Sequence, residues 1–458
     1  MRYSYYDNNG TTIMDKNVRE SMSRYIIQGN PSAKYPDALM ARETINVAKA
    51  KLMDYCRISD KENYKVIFTS GASESNNFVF NALTESYLKF HHGICTKKAY
   101  IITSEIEHKT SINRCANLAA TNIVNVKYIK PNKLGVIDED DVINMINHIL
   151  YNGEDIIVVS IMHVNNETGN YNRLKRIIKY CDERNIFFHS DIVASFGKCP
   201  YFLYSFSHKP AAVSISFHKL FGPTQCGALI IKKKFLEYDS DDITIKYKIG
   251  AMISGTQYDG YRGGTENVSL IVGSLVAMEI SFHDRYNKNL RLINMRNHFL
   301  YEMKQLNYRI VHYSLRNMFN ESGNYLIHFT NYSVEEEKNY RESIELLNRG
   351  EEPNITSPHV VNFCLVRYTH IGNIIKPVNN FFVLDELLKK NIIISTGSAC
   401  NLTEKSYVIE SLNVPEYMYK NPLRISFGDI NFTNQSTDEI FTKIRILASE
   451  INNIVKRS

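Results

Sequence analysis

Two reactive side chains stand out by their surroundings. Lys219 closes Ser214-Ile-Ser-Phe-His-Lys219 and runs directly into Leu-Phe-Gly-Pro223. Cys400 closes Ser395-Thr-Gly-Ser-Ala-Cys400, a run of small residues. A lysine forms a Schiff base with an aldehyde only as the neutral amine, so its site must disfavour the ammonium by burial or nearby positive charge. The apolar strand before Lys219 and the Gly-Pro turn after it would hold the amine at a strand end. Cys400 has the setting of an exposed nucleophile on a loop, whereas Cys56, Cys115, Cys181 and Cys226 lie in apolar or helical contexts that suit core thiols.

Other polar residues fall where an aldehyde cofactor would need them. Asp191 ends the apolar run from Ile186, and an acid there requires a partner such as a protonated ring nitrogen. Its simpler role is to cap the turn that follows. Thr69-Ser-Gly-Ala-Ser-Glu74 reads as a strand-to-helix turn whose backbone N–H groups at Ala72 and Ser73, with the Ser73 hydroxyl, can face an anion. Ser216 and His218, beside the lysine, add donors to the same anion, and Thr265 in Arg262-Gly-Gly-Thr265 is a further one. His108 follows a strand end, where an imidazole can stack on a ring and move protons. Asn166 can donate to a ring phenolate oxygen or simply form a turn. His163 and His189 sit inside apolar strands and read as satisfied core histidines. Arg424, alone in an apolar strand, demands an anion, either a substrate carboxylate gripped through two N–H groups or a structural acid.

The elements that must position these groups alternate. Strands are expected at Tyr64–Thr69, Ala99–Thr103, Asn125–Ile129, Asp155–Met162, Ile186–His189, Val213–Ser216 and Ala228–Ile231. Helices are expected at Ser73–Tyr87, Thr110–Ala120, Glu139–Leu150 and Arg173–Glu183. Such alternation predicts an α/β fold with a mostly parallel sheet, which binds ligands beyond the carboxyl ends of its strands, where the polar residues above fall. A long helical stretch over Val268–Lys304 leads to a second α+β region with a strand at His359–Leu365 and helices at Phe382–Lys390 and Thr437–Lys456. The expected division is an N-terminal segment 1–15 packing with the small domain, a large cofactor-binding domain 16–267 and a small domain 268–458. The small domain carries a charged insertion at about 314–357 and the cysteine loop at about 395–406.

Composition narrows the classes of function. The chain has 458 residues, 44% hydrophobic and 22% charged, with a net charge of +6 that no basic stripe concentrates, so nucleic-acid binding has no support. No apolar stretch approaches the roughly 20 residues that cross a bilayer. Eight cysteines without C-x-x-C spacing argue against a zinc site or a disulfide framework. They point to a reducing compartment, the cytoplasm or an organelle matrix.

The sequence resembles the cysteine desulfurases related to NifS and IscS, among the fold-type I pyridoxal-phosphate enzymes. The resemblance runs from Tyr6-Asp-Asn-Asn-Gly-Thr-Thr12 through Phe68-Thr-Ser-Gly-Ala-Ser-Glu-Ser-Asn-Asn77, Ser160-Ile-Met-His-Val-Asn-Asn-Glu-Thr-Gly169, Ser216-Phe-His-Lys219 and Ser398-Ala-Cys400 to Arg424. It implies a homodimer with a seven-stranded-type sheet that releases alanine from L-cysteine and passes sulfur to a carrier or iron–sulfur scaffold. Lys219 would then hold pyridoxal 5'-phosphate as a Schiff base, Asp191 face the pyridine nitrogen, His108 stack on the ring and Asn166 approach the phenolate oxygen. Ala72, Ser73, Ser216 and His218 would hold the phosphate, joined by Thr265 from the second subunit. Arg424 would bind the substrate carboxylate, and Cys400 would accept sulfur as a persulfide. No resident metal is implied, only transient contact of Cys400 with an iron–sulfur cluster. Ala194 stands where the family usually has glutamine, which removes one contact to the cofactor. A selenocysteine lyase or aminotransferase of the same fold, and a non-catalytic scaffold for a sulfur-transfer partner, are the rival readings.

Overall fold

The structure, a computed structural model, describes residues 3–26, 29–93, 98–199, 208–305, 310–312, 357–368, 375–397, 405–428 and 436–457. Nearly all of the charged insertion and Cys400 itself lie outside these residues.

The first sheet is built from β2 (Tyr64–Thr69), β3 (Ala99–Ser104), β4 (Asn125–Ile129), β5 (Asp155–Ser160), β6 (Phe188–Asp191), β7 (Ala212–Ser216) and β8 (Gly227–Lys232). Its seven strands lie in the order β2-β8-β7-β6-β5-β3-β4. All run in one direction except β8, which is antiparallel to both neighbours. Six strand ends therefore meet on one edge, and β8 starts there, with Gly227 opposite both Thr69 and Ser216. Apart from the edge strand β4, the strands are almost wholly buried, and β2, β3, β5, β7 and β8 are mostly apolar runs, as a sheet covered by helices on both faces requires. Expected and observed strand ends differ by no more than two residues here.

Helices α1 (Lys16–Ser23) and α2 (Pro36–Tyr55) precede this sheet. Helices α3 (Ala72–Phe90), α4 (Lys109–Ala119), α5 (Glu139–Tyr151) and α6 (Lys175–Asp182) follow its strands. The stretch expected as one long helix is two, α7 (Val268–Phe282) and α8 (Arg285–Gln305). His283 takes an extended conformation and Asp284 a left-handed one (φ 49°), so the intrahelical hydrogen bonds stop there. The break changes the packing. Val268, Ile271, Val272 and Met278 of α7 join the core of the first sheet, whereas Leu292, Met295, Phe299 and Met303 of α8 join a second core. Residue 268 thus opens a helix that packs on the first core.

The second core lies against a smaller sheet in which β10 (Val360–Tyr368) pairs antiparallel with β9 (Ile310–His312), β11 (Ile375–Pro377) and β13 (Leu423–Ser426). Helices Asn380–Lys389 and Thr437–Arg457 complete it. At the N-terminus, β1 (Ser4–Tyr5) pairs in parallel with β12 (Ile392–Ile393), so the start of the chain is stitched to this second region. Among the described residues, no helix is long and apolar enough to cross a membrane.

Candidate active site

The carboxyl edge of the large sheet opens into a cavity of about 430 Å³. Its wall includes Ala72, Ser73, His108, Asn166, Asp191, Ala194, Ser216, His218, Lys219 and Arg424. Ten positions scattered over 350 residues of sequence meet because each ends or follows a strand of the same edge, or comes from β13 beside it.

One wall is a cradle for an anion. Helix α3 begins at Ala72, and Gly71 before it has φ +155°, a conformation that side chains with a Cβ rarely adopt. The turn is pressed onto the sheet so closely that a Cβ on Gly227 would stand 2.5 Å from the Gly71 Cα. Glu74 caps the Ser70 N–H (2.6 Å) and pairs with Arg262 (2.9 Å), while Ala72 and Ser73 of the first turn line the cavity. Ser73, Ser216 and His218 line the same region, and the Ser73 hydroxyl lies 3.2 Å from that of Thr110. His218 Nδ1 is 3.0 Å from the Thr11 hydroxyl. Burial, then the charges of Lys219 and Lys198, push the His218 imidazole down to about 4, so this donor is neutral at neutral pH.

Asp191 lies further in, buried at the end of β6. Its oxygens accept from the Asn76 amide (3.0 Å) and the Val193 N–H (3.0 Å). The acid therefore caps its turn and also faces the cavity, so the two roles considered from sequence coexist. His108 caps α4, its Nδ1 accepting from the Thr110 N–H at 3.2 Å, which assigns the proton of the neutral ring to Nε2. Burial, with the charge of Lys219 second, pushes this imidazole down to about 4 against the pull of Asp191. Lys219 is buried in the short 3₁₀ turn after β7 and lines the cavity with both.

Arg424 is fully buried on β13. Its Nη2 pairs with Asp7 (2.8 Å), and its Nη1 donates to the carbonyls of Gly397 (2.8 Å) and Asn166 (3.3 Å). The structural acid allowed by sequence is present, yet the guanidinium also lines the cavity and its Nε has no hydrogen-bond partner among the described residues. That donor is itself buried, an unpaired group that costs stability where it stands. Gly397, held by Arg424, ends the described chain before Cys400. Beyond Cys400 the description resumes at Lys405, where the Ser406 hydroxyl donates to Glu167 (2.6 Å).

Thr265 is exposed and is not on the wall of its own chain's cavity. His163 and His189 are buried, the first against the Ser195 hydroxyl and the second between the hydroxyls of Ser160 and Ser214. The four cysteines read as core thiols are buried, as are Cys199 and Cys364. Among the described residues, no cluster of His, Cys, Asp and Glu is placed to hold a metal ion.

Several wall residues had no assigned part in the sequence reading, among them Asn9, Gly10 and Thr110. The motif Tyr6–Thr12 was a signal for the first two. It threads between the two regions, with the Asn8 amide donating to the Ser426 carbonyl (2.8 Å) and the Thr12 N–H to the His218 carbonyl (2.9 Å).

The fold agrees with what comparison finds. The profile of the class-V aminotransferases matches residues 4–339, and the chain belongs to that family. It is 30% identical to the protein named cysteine desulfurase IscS of Rickettsia typhi, over 99% of this chain and 92% of that one. Among solved structures, a NifS-like protein from Rickettsia africae superposes with a TM-score of 0.71 at 21% identity, with 99% of each chain covered. A protein named SspA, solved in complex with cysteine, gives 0.60 at 24% identity, covering 93% of this chain and 98% of that one. At these identities the two structures speak for the fold alone.

Proposed function

We propose that this protein is a pyridoxal 5'-phosphate-dependent cysteine desulfurase that works as a homodimer and supplies sulfur for iron–sulfur cluster assembly or another transfer pathway. The observation that carries the reading is the meeting of a buried lysine, a buried aspartate and a neutral anion cradle around one cavity.

The residues present suit that cofactor. A phosphate fits the start of α3, where Gly71 leaves room (a Cβ there would be 3.7 Å from the Ser216 hydroxyl) and Ser73, Ser216 and His218 offer donors. Asp191, already holding two donors, would keep a pyridine nitrogen protonated, and His108 would lie against the ring. Once bound, the cofactor supplies an electron sink for the bonds around the substrate α-carbon.

The chain's own residues do the rest. Arg424 orients the cysteine carboxylate, and Asn166 stands beside it. The Lys219 amine, released when substrate takes its place, removes the α-proton at Nζ, while His108 moves protons at Nε2. Cys400 Sγ attacks the substrate sulfur, so the carbon–sulfur bond breaks as a sulfur–sulfur bond forms. Alanine leaves, and the persulfide remains on Cys400.

Purified protein incubated with cysteine should yield alanine and, with a thiol reductant, an equal amount of sulfide. Lys219→Ala should lose the visible absorbance of the bound cofactor and at least ~10³ of the rate, since the amine acts both as tether and as base. Cys400→Ser should retain that absorbance but release no sulfide. Sulfide production by Cys400→Ser at the native rate would remove the nucleophile assignment, and absence of any turnover or visible band in the native protein would remove the whole reading.

A further inference from the structure

A second lysine is buried beside the cavity. Lys198 is 7% exposed, and its Nζ donates to the side-chain oxygen of Asn9 at 3.1 Å. Among the described residues it has no carboxylate within ion-pairing distance. A buried lysine without an acid is costly, so its retention calls for a reason. Burial, then Lys219, Arg424 and Arg285, against the pull of Cys199, draws its amine down to about 7.

What Lys198 holds is informative. Asn9 is 2% exposed, lines the cavity, and uses every polar atom of its side chain. Its oxygen accepts from Lys198 and stands 3.0 Å from His359 Nε2. The Ser357 hydroxyl lies 2.6 Å from the other ring nitrogen and can donate to it, which leaves Nε2 as the donor to Asn9. The Asn9 amide donates in turn to the Asn166 carbonyl (2.9 Å), the same carbonyl that Arg424 Nη1 contacts. The Asn9 backbone N–H is held by the Ser426 hydroxyl at 2.8 Å, two residues after Arg424. The chain of contacts therefore runs Lys198, Asn9, Asn166, Arg424.

We infer that Lys198 is a positioning residue, which clamps Asn9 against the backbone of Asn166 and so sets both the Asn166 side chain and the Arg424 guanidinium for cofactor and substrate. Lys198 is not on the cavity wall and acts only through Asn9. The role rests on the desulfurase reading for what the cavity binds, but the connectivity is independent of it.

A double-mutant cycle over Lys198→Met and Asn9→Ala tests the inference. Each single variant should raise KM for cysteine about tenfold, as loss of one hydrogen bond to a charged group would, and change kcat less than threefold. Each should also displace the absorbance maximum of the bound cofactor, a property that generic loosening of the fold leaves alone. The double variant should be no worse than either single one, because both cut the same chain. Lys198→Gln, which keeps a donor and loses the charge, should restore most of the native KM and spectrum, and Lys198→Ala takes the place of Lys198→Met in the cycle if the latter does not fold. Additive losses, or a native KM and spectrum in Lys198→Gln and Lys198→Met alike, would overturn the role. Native protein without desulfurase activity would instead overturn the functional reading, and the spectral cycle would still report whether the four residues are linked.

Discussion

At the scale of single residues, the site is governed by where charge is permitted. His108 and His218 are held neutral, whereas Glu107, next in sequence to His108, is held protonated. Burial, with Asp191 adding to it, pushes the Glu107 carboxyl up to about 8 against the hydrogen bonds from Ser104 and the Met162 N–H. An acid whose pKa is raised on folding binds its proton more tightly in the native state, so its contribution is fully present below about 4.5 and is lost as pH rises through about 8. Glu107→Gln should therefore flatten the fall of the melting temperature between those limits. An unchanged alkaline limb would show that Glu107 is already ionised in the native protein. The depressed histidines work with the opposite sign. Stability is kept above their unfolded value near 6.5 and is lost as pH falls towards about 4. The same scale explains how Arg424 was half legible. A lone arginine in an apolar strand announces that it needs an anion, but Asp7 lies 417 residues away in sequence, and no local pattern could name it.

At the scale of elements, the site depends on one close approach. Gly227 begins β8 and Gly71 precedes α3, and their backbones touch where the anion cradle forms. A methyl group at residue 227 must displace the Gly71 turn. Gly227→Ala should cost about 1–3 kcal/mol of stability and weaken cofactor binding in proportion, as read by denaturant midpoint and by cofactor titration of the apoprotein. A native cofactor affinity in that variant would mean the turn does not set the cradle. The strands and most helices of the large sheet were readable because their apolar runs and turn residues are local signals. The break between α7 and α8 was not, since no Pro or Gly marks it and the two helices differ only in which core they meet. Strands β1 and β12 escaped for the same reason, being two residues each and defined by their pairing.

At the scale of the whole molecule, one chain leaves apolar side chains in water and a donor turned away from its own site. Leu39, Met40 and Val47 of α2 and Ile253 are exposed, and Thr265 is exposed on the turn that Arg262 ties to the start of α3 through Glu74. A second copy would cover such side chains and bring its Thr265 to the cradle, as the family resemblance implies. Sedimentation should give twice the 52.9 kDa of the chain. Mixing Lys219→Ala with Thr265→Ala should restore native cofactor affinity at one site of each mixed dimer, the one with an intact lysine and a borrowed threonine. A monomer at working concentration, or no recovery on mixing, would leave the cradle to one chain.

The sequence alone was enough for the alternation of strands and helices, and for placing Lys219, Asp191 and the residues around Ser73 together at one edge of the sheet, because each is written in a few neighbouring residues. Only the tertiary structure could decide what holds them. Lys198 meets Asn9 across 189 positions, His359 meets it across 350, and the N-terminal segment binds the second sheet to the turn around His218. Contacts of that span depend on how two cores settle against each other, and a buried amine with an amide for its partner leaves no trace in the residues beside it.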